Sequence, residues 1–118
     1  MRPIPRKLKD ALANDPEYKT CLRKKIFKDH ECQADPLTGK LIEWEHSLIF
    51  GGRQIQERFA IIPICWLVHR GGMLDKNKNI CIALNRATDA ELKKYSKAED
   101  LILKRDYLNK KYGLEYRV

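Results

Sequence analysis

Strand signals in this chain are short and confined to its middle, while the segments on either side carry apolar residues at helical spacing. Asp35-Pro36-Leu37-Thr38-Gly39 has the composition of a turn and separates a short extended run from a second one, Leu41 to His46. In that second run Ile42, Trp44 and His46 alternate with Leu41, Glu43 and Glu45. A strand therefore shows Trp44 and His46 on one face and the two glutamates on the other. Ala60 to Ile64 is a β-branched run interrupted by Pro63, which suits a strand that ends where a helix over Cys65 to His69 begins. Gly71-Gly72 then stops or bends that helix. Strands this short make only a small β element, so the expected class is α+β.

The flanks supply the helices. Met1 to Arg6 reads as a loose basic arm, and Lys7 to Ala13 as a short helical turn. Asp15-Pro16 is a helix start, an N-cap followed by proline at the first helical position. From there Tyr18, Cys21, Leu22 and Ile26 recur with the helical period, predicting one helix over about Pro16 to Phe27 with Lys19, Arg23, Lys24 and Lys28 on its wet side. Further on, Thr88 and Glu91 form a capping-box pair at the start of a helix over Asp89 to Tyr95. Ala98, Leu101, Ile102, Leu108 and Tyr112 make an apolar stripe, and Gly113 stands where a C-terminal cap belongs. Trp44 and Trp66 are expected in the core, and helical packing accounts for Tyr107 and Tyr112.

Charge narrows the partners. The 118 residues hold 24 Lys and Arg against 16 Asp and Glu, a net charge of +8 that favours polyanions, nucleic acid first. The excess is local: His46 to Arg86 carries six basic residues against two acidic ones, whereas the flanks are nearly balanced. Within that segment Arg53, Arg58, Arg70, Lys76 and Lys78 are the candidates for phosphate contact. The runs Arg23-Lys24-Lys25 and Lys110-Lys111 read as solvated helix faces. With 43% hydrophobic residues, wholesale disorder is excluded. The longest apolar stretch, Phe59 to Val68, falls far short of the roughly 20 residues that span a bilayer. No membrane partner is expected, and nothing resembles a signal peptide, so the expected compartment is a cytosol.

Cys21, Cys32, Cys65 and Cys81 contain no C-x-x-C pair, and in a cytosolic chain reduced thiols are the default. Of the three histidines, His30 is expected to cap or solvate a turn. Glu45-His46 closes a predicted strand, and His69 follows in a predicted helix. A strand, loop, strand and helix can fold the two imidazoles and a carboxylate toward one point, where a divalent metal binds and one imidazole stays free as a base.

The run Ile42-Glu43-Trp44-Glu45-His46, then Gly51-Gly52, then Ile61-Ile62-Pro63-Ile64-Cys65 and His69, resembles the ββα-metal finger of HNH endonucleases. The basic helix leading to His30-Glu31-Cys32 is similar to the lead-in of many HNH domains, and the basic helical tail to phage recombination nucleases of that group. The resemblance implies a single domain over 1–118: an arm over 1–15, a helix over 16–30, the finger over 31–72 and a helical tail over 73–118. It also implies a DNA endonuclease in which His46 is the general base and Glu45 and His69 hold one divalent ion, magnesium or manganese with zinc as the alternative. Glu43, on the same strand face, is the alternative ligand to Glu45. Where the family has a bracing Asn, this chain has Ala60. Where it has zinc knuckles, this chain reads Cys32-x-x-Asp35 and Cys65-x-x-Val68, and since valine cannot ligate, the expectation is no structural zinc and packed thiols at Cys32 and Cys65. Two other readings share the sequence: a nucleic-acid-binding module that keeps the finger without catalysis, and a zinc-stabilised interaction protein. A single finger makes one cut, so double-strand cleavage requires a homodimer, for which the sequence carries no decisive signal.

Overall fold

The alternation of Leu41 to His46 becomes β1 (Ile42–His46), which pairs antiparallel with β2 (Ile61–Cys65) in a two-stranded sheet. The computed structural model describes residues 4–47, 55–70, 75–94 and 98–114. In register, Ile42 lies opposite Cys65, Glu43 opposite Ile64, Trp44 opposite Pro63, Glu45 opposite Ile62 and His46 opposite Ile61. Opposed residues share a face, so Glu43, Glu45, Ile62 and Ile64 form one side of the hairpin, and Trp44, His46, Ile61 and Cys65 the other. Both strands are edges, which is why Pro63 is tolerated in β2.

Around the hairpin run α1 (Arg6–Ala13), a 3₁₀ turn over Pro16–Lys19, α2 (Leu22–Phe27), a second 3₁₀ turn over Arg58–Ala60, α3 (Trp66–Arg70), α4 (Lys76–Arg86), α5 (Asp89–Leu92) and α6 (Ala98–Tyr112). The class is α+β, and α3 follows β2 without a break, giving the strand–strand–helix order expected of the middle segment. The main core collects Leu22, Phe59, Ile62, Ile64, Val68 and Leu84, with α4 as its central helix. Burying Phe59, 2% exposed, is worth about 1.5 to 3 kcal/mol. A smaller cluster on the other side of the sheet joins Leu12, Tyr18 and Ile61, with the Trp44 ring edge-on to Tyr18 at 5.7 Å. No helix among the described residues is long and apolar enough to cross a membrane.

Several expectations are corrected. The single helix over Pro16 to Phe27 is two pieces, because Thr20 and Cys21 are extended. Asp15 does cap the first piece through Glu17 N, but the buried Tyr18 anchors it, its hydroxyl lying 2.7 Å from the Ile61 carbonyl and 2.9 Å from that of Arg58. Arg23, assigned to the wet side, is fully buried. Trp66, the first residue of α3, is 45% exposed rather than core, and Tyr107 is 64% exposed on α6. The helix α4, capped by Asp75 through Asn77 N, was not singled out within the helical tail. The helix expected over Asp89 to Tyr95 is the shorter α5, ending at Leu92, with Lys93 and Lys94 in a turn. Elsewhere the tail behaves as read: the Thr88–Glu91 capping box is formed, Leu101 and Leu108 are buried, and Gly113 takes the positive φ of +65° that a helix-ending residue needs. Gly51-Gly52, Arg53, Gly71-Gly72 and Tyr95 lie outside the described residues.

Candidate metal centre and hairpin site

Cys21, extended at the start of α2, brings its Sγ to the end of β2. There it meets Cys65, and the chain leaving α2 returns His30 and Cys32 to the same point. The ligand atoms of Cys21, His30, Cys32 and Cys65 all lie within 4.8 Å of one another, a group that could hold a metal ion. Bonds of about 2.0 to 2.3 Å to a tetrahedral ion place its ligand atoms about 3.5 to 3.8 Å apart. His30 Nε2 sits 3.7 Å from Cys21 Sγ and 3.3 Å from Cys65 Sγ, close to those edges. The surroundings match as well: the Cys65 amide donates to Cys21 Sγ at 3.3 Å, and His30 Nδ1 meets Asp29 Oδ1 at 2.9 Å, the carboxylate partner that orients a ligating imidazole. Burial pushes the Cys21 thiol up to about 12 and raises Cys32, so a cation is what makes thiolates accessible here.

One expectation changes at this point: His30 does not solvate a turn, for its side chain is 4% exposed. Cys65 is buried in the main core and Cys32 packs against it, as expected of packed thiols, and Cys21 and His30 join them in a group that could hold a metal ion. Cys81 stands apart, its thiol against Asn109 Oδ1 and Asn85 Nδ2. The closely spaced pair His30-x-Cys32 was the sequence signal that could have found the centre.

From this centre a hydrogen-bonded chain runs through the core. Asp29 Oδ2 accepts from Arg23 Nε at 2.9 Å and from Lys78 Nζ at 3.1 Å. Burial alone would raise the Asp29 carboxyl, but the bonds from His30, Arg23 and Lys78 outweigh it and hold it well below the usual carboxylate range. Arg23 also donates to the Asp75 carbonyl at 2.8 Å and to Asn79 Oδ1 at 2.9 Å. Asn79, 1% exposed, passes the chain on, its Nδ2 donating to Glu45 Oε2 at 3.0 Å.

Glu45 thus reaches the α4 side of the hairpin, where Lys76 Nζ lies 3.2 Å from its other oxygen. The same ammonium donates to the Val68 and His69 carbonyls, at 2.8 and 2.9 Å, and so closes the end of α3. His69 Nδ1 meets Glu43 Oε1 at 2.8 Å, and Arg70 holds the same carboxylate. Burial opposes ionisation of Glu43, yet His69 and Arg70 prevail and lower its pKa. The carboxylate beside His69 is therefore Glu43, while Glu45 stands one pleat along. His46 closes β1 on the opposite face, with Nε2 2.9 Å from Gln56 Oε1. His69 and Glu43 lie on the other side of the hairpin, so the two imidazoles expected at one point are not brought together. Ala60 is fully buried, its carbonyl accepting from Ser47 N.

The phosphate-contact candidates are occupied. Arg58 is paired with Asp15 and Glu17, Arg70 with Glu43, Lys76 with Glu45 and Lys78 with Asp29. Arg53 lies outside the described residues. Compared with protein-family models, with curated proteins and with solved structures, the chain matches none. The site's chemistry accordingly rests on its own geometry.

Proposed function

We propose that the chain is a metal-dependent endonuclease of the ββα type, hydrolysing phosphodiester bonds in DNA. The observation that supports this reading is the order β1, β2, α3, which puts His46 at the end of the first strand and pairs Glu43 of that strand with His69 of the helix. His46 lies on the other face of the hairpin from Glu43 and Glu45, so the reading requires the scissile phosphate to sit across the strand end. In this reading His46 takes the proton of the attacking water, with the Gln56 amide beside its ring. Glu43, Glu45 and His69 offer oxygen and imidazole donors suited to magnesium or manganese. The Lys76 ammonium against Glu45 marks the place as one that demands positive charge. An ion held there would offset the charge developing on the scissile phosphate and the leaving 3′ oxygen. Lys76 must give up Glu45 for this to happen, and its bonds to the Val68 and His69 carbonyls would still hold it at the end of α3.

The second centre has a different job. Four protein ligands leave no open position, which is the mark of a structural ion, and thiolates with one imidazole favour zinc. Zinc at Cys21, His30, Cys32 and Cys65 ties the lead-in helix to the end of β2.

Plasmid nicking with magnesium or manganese tests the enzyme. Wild type is expected to convert supercoiled to nicked DNA, and His46→Ala to lose on the order of 10²-fold or more in rate, the usual share of a general base. An unchanged rate would contradict the mechanism. One observation favours the alternative of a binding module without catalysis: both glutamates of the hairpin already hold basic partners. Salt-sensitive DNA binding without nicking under either ion would select it.

A further inference from the structure

The cations expected to hold phosphate are paired, so the unneutralised charge of the chain lies elsewhere. A groove of about 310 Å³ opens between the turn ahead of α2, α2 itself and the strand-like segment after His30. Lys19, Lys24 and Lys25 line it, and its floor includes Cys21 and Cys32 of the metal centre. Lys19 and Lys25 are exposed and Lys24 is half-buried. Among the described residues none of the three has an acidic partner, in contrast to Arg23 of the same run, which holds Asp29. Lys28, also exposed and without such a partner, stands one helical turn beyond Lys24.

We propose that this groove is where the phosphodiester backbone of a nucleic acid docks. Like charges crowded along one short element cost free energy until an anion meets them, and a polyanion meets several at once, releasing its own counterions. Lys19, Lys24 and Lys25 come from two successive elements along one groove, with Lys28 just past the end of α2, which suits a polymer that meets several cations at once. Cys21 and Cys32, two of the four candidate ligands, line the groove with the lysines, so an ion held by them would keep its shape fixed. This deepens the nuclease reading by placing the substrate's backbone, and it rests on that reading for the kind of polymer.

The test uses the full chain and a fluorescently labelled DNA duplex, with binding followed by anisotropy over a range of salt and without magnesium or manganese. Lys19→Ala, Lys24→Ala and Lys25→Ala are combined in one variant. Lys7→Ala, Lys9→Ala and Lys104→Ala, which remove the same charge elsewhere, form the control, and both are matched to wild type in thermal midpoint. The groove variant is expected to bind at least tenfold more weakly, and its salt slope to fall by about 2 to 3, close to 0.9 per lost phosphate contact. The control is expected to change much less. Equal losses in the two variants, or binding by the groove variant that matches wild type, overturn the proposal. Polyglutamate that displaces wild type from DNA as well as unlabelled duplex does would also overturn it, by pointing to an acidic protein. Nicking by wild type together with normal binding by the groove variant leaves the nuclease standing and this inference fallen. Groove-dependent binding with no nicking does the reverse.

Discussion

A guanidinium with no exposed surface is costly unless it is paired, and at Arg23 Nε bonds Asp29, Nη1 bonds the Asp75 carbonyl and Asn79, and Nη2 lies 2.9 Å from the Asp29 carboxylate without a hydrogen bond of its own. That single side chain joins the segment ahead of His30 to α4, and through Asn79 to Glu45. Arg23→Met removes the charge while keeping much of the volume, and leaves Asp29 short of its buried partner. Urea unfolding is expected to show a loss of about 3 to 5 kcal/mol, the range for breaking one side of a buried pair; a loss below about 1 kcal/mol, the scale of a surface pair, would show that the network is not holding the fold. Nothing in Arg23-Lys24-Lys25 distinguishes the buried member from its neighbours, because all three look like the wet side of a helix. What distinguishes them is Asp29 and Asn79, and those partners arrive only when α2 and α4 pack. His30 is the same case at the metal centre: as a lone histidine near a turn it has no assignment until Cys21 and Cys65 are brought to it. The alternation of the strand places His46 at the end of β1, but its contact with Gln56 carries no sequence signal, because Gln56 belongs to no motif.

Among the elements, those set by local chemistry were readable. Period-two alternation gave β1, β-branched residues before a helix gave β2, and side-chain caps gave α5 and the end of α6. The capping box at Thr88 satisfies two otherwise open amides, with Thr88 Oγ1 accepting from Glu91 N at 3.1 Å and Glu91 Oε1 from Thr88 N at 3.0 Å. Thr88→Ala is expected to lower stability by about 1 kcal/mol, seen as a lower urea midpoint with an unchanged slope; no shift would mean that α5 is held by Leu92 burial alone. The break between Pro16–Lys19 and α2 was not readable, because Tyr18, Cys21, Leu22 and Ile26 keep the helical period straight across it. Tertiary demand overrides that pattern: Tyr18 is fastened to the carbonyls of Arg58 and Ile61, and Cys21 to the amide of Cys65. An element that exists to deliver one ligand is shaped by the ligand's destination.

At the scale of the whole molecule, the +8 of the sequence divides into two populations. Arg58, Arg70, Lys76 and Lys78 hold acidic side chains against the hairpin and the core, while Lys19, Lys24 and Lys25 face a groove without partners. Counting charge along the chain located the hairpin segment correctly as basic, yet pairing is a property of the fold and reverses which cations are free. The feature that organises both populations is the Cys21, His30, Cys32 and Cys65 centre. An ion held there would tie α2 to the end of β2 beside the groove, and His30 of this group bonds Asp29, from which Arg23 and Asn79 lead to Glu45. Metal analysis of the purified chain tests this most directly. The account predicts about one zinc per chain, kept in Cys81→Ser, lost in Cys21→Ser, and needed for the folded state, so that a strong chelator unfolds the domain. A domain that folds cooperatively without metal and keeps its stability in the chelator would contradict it.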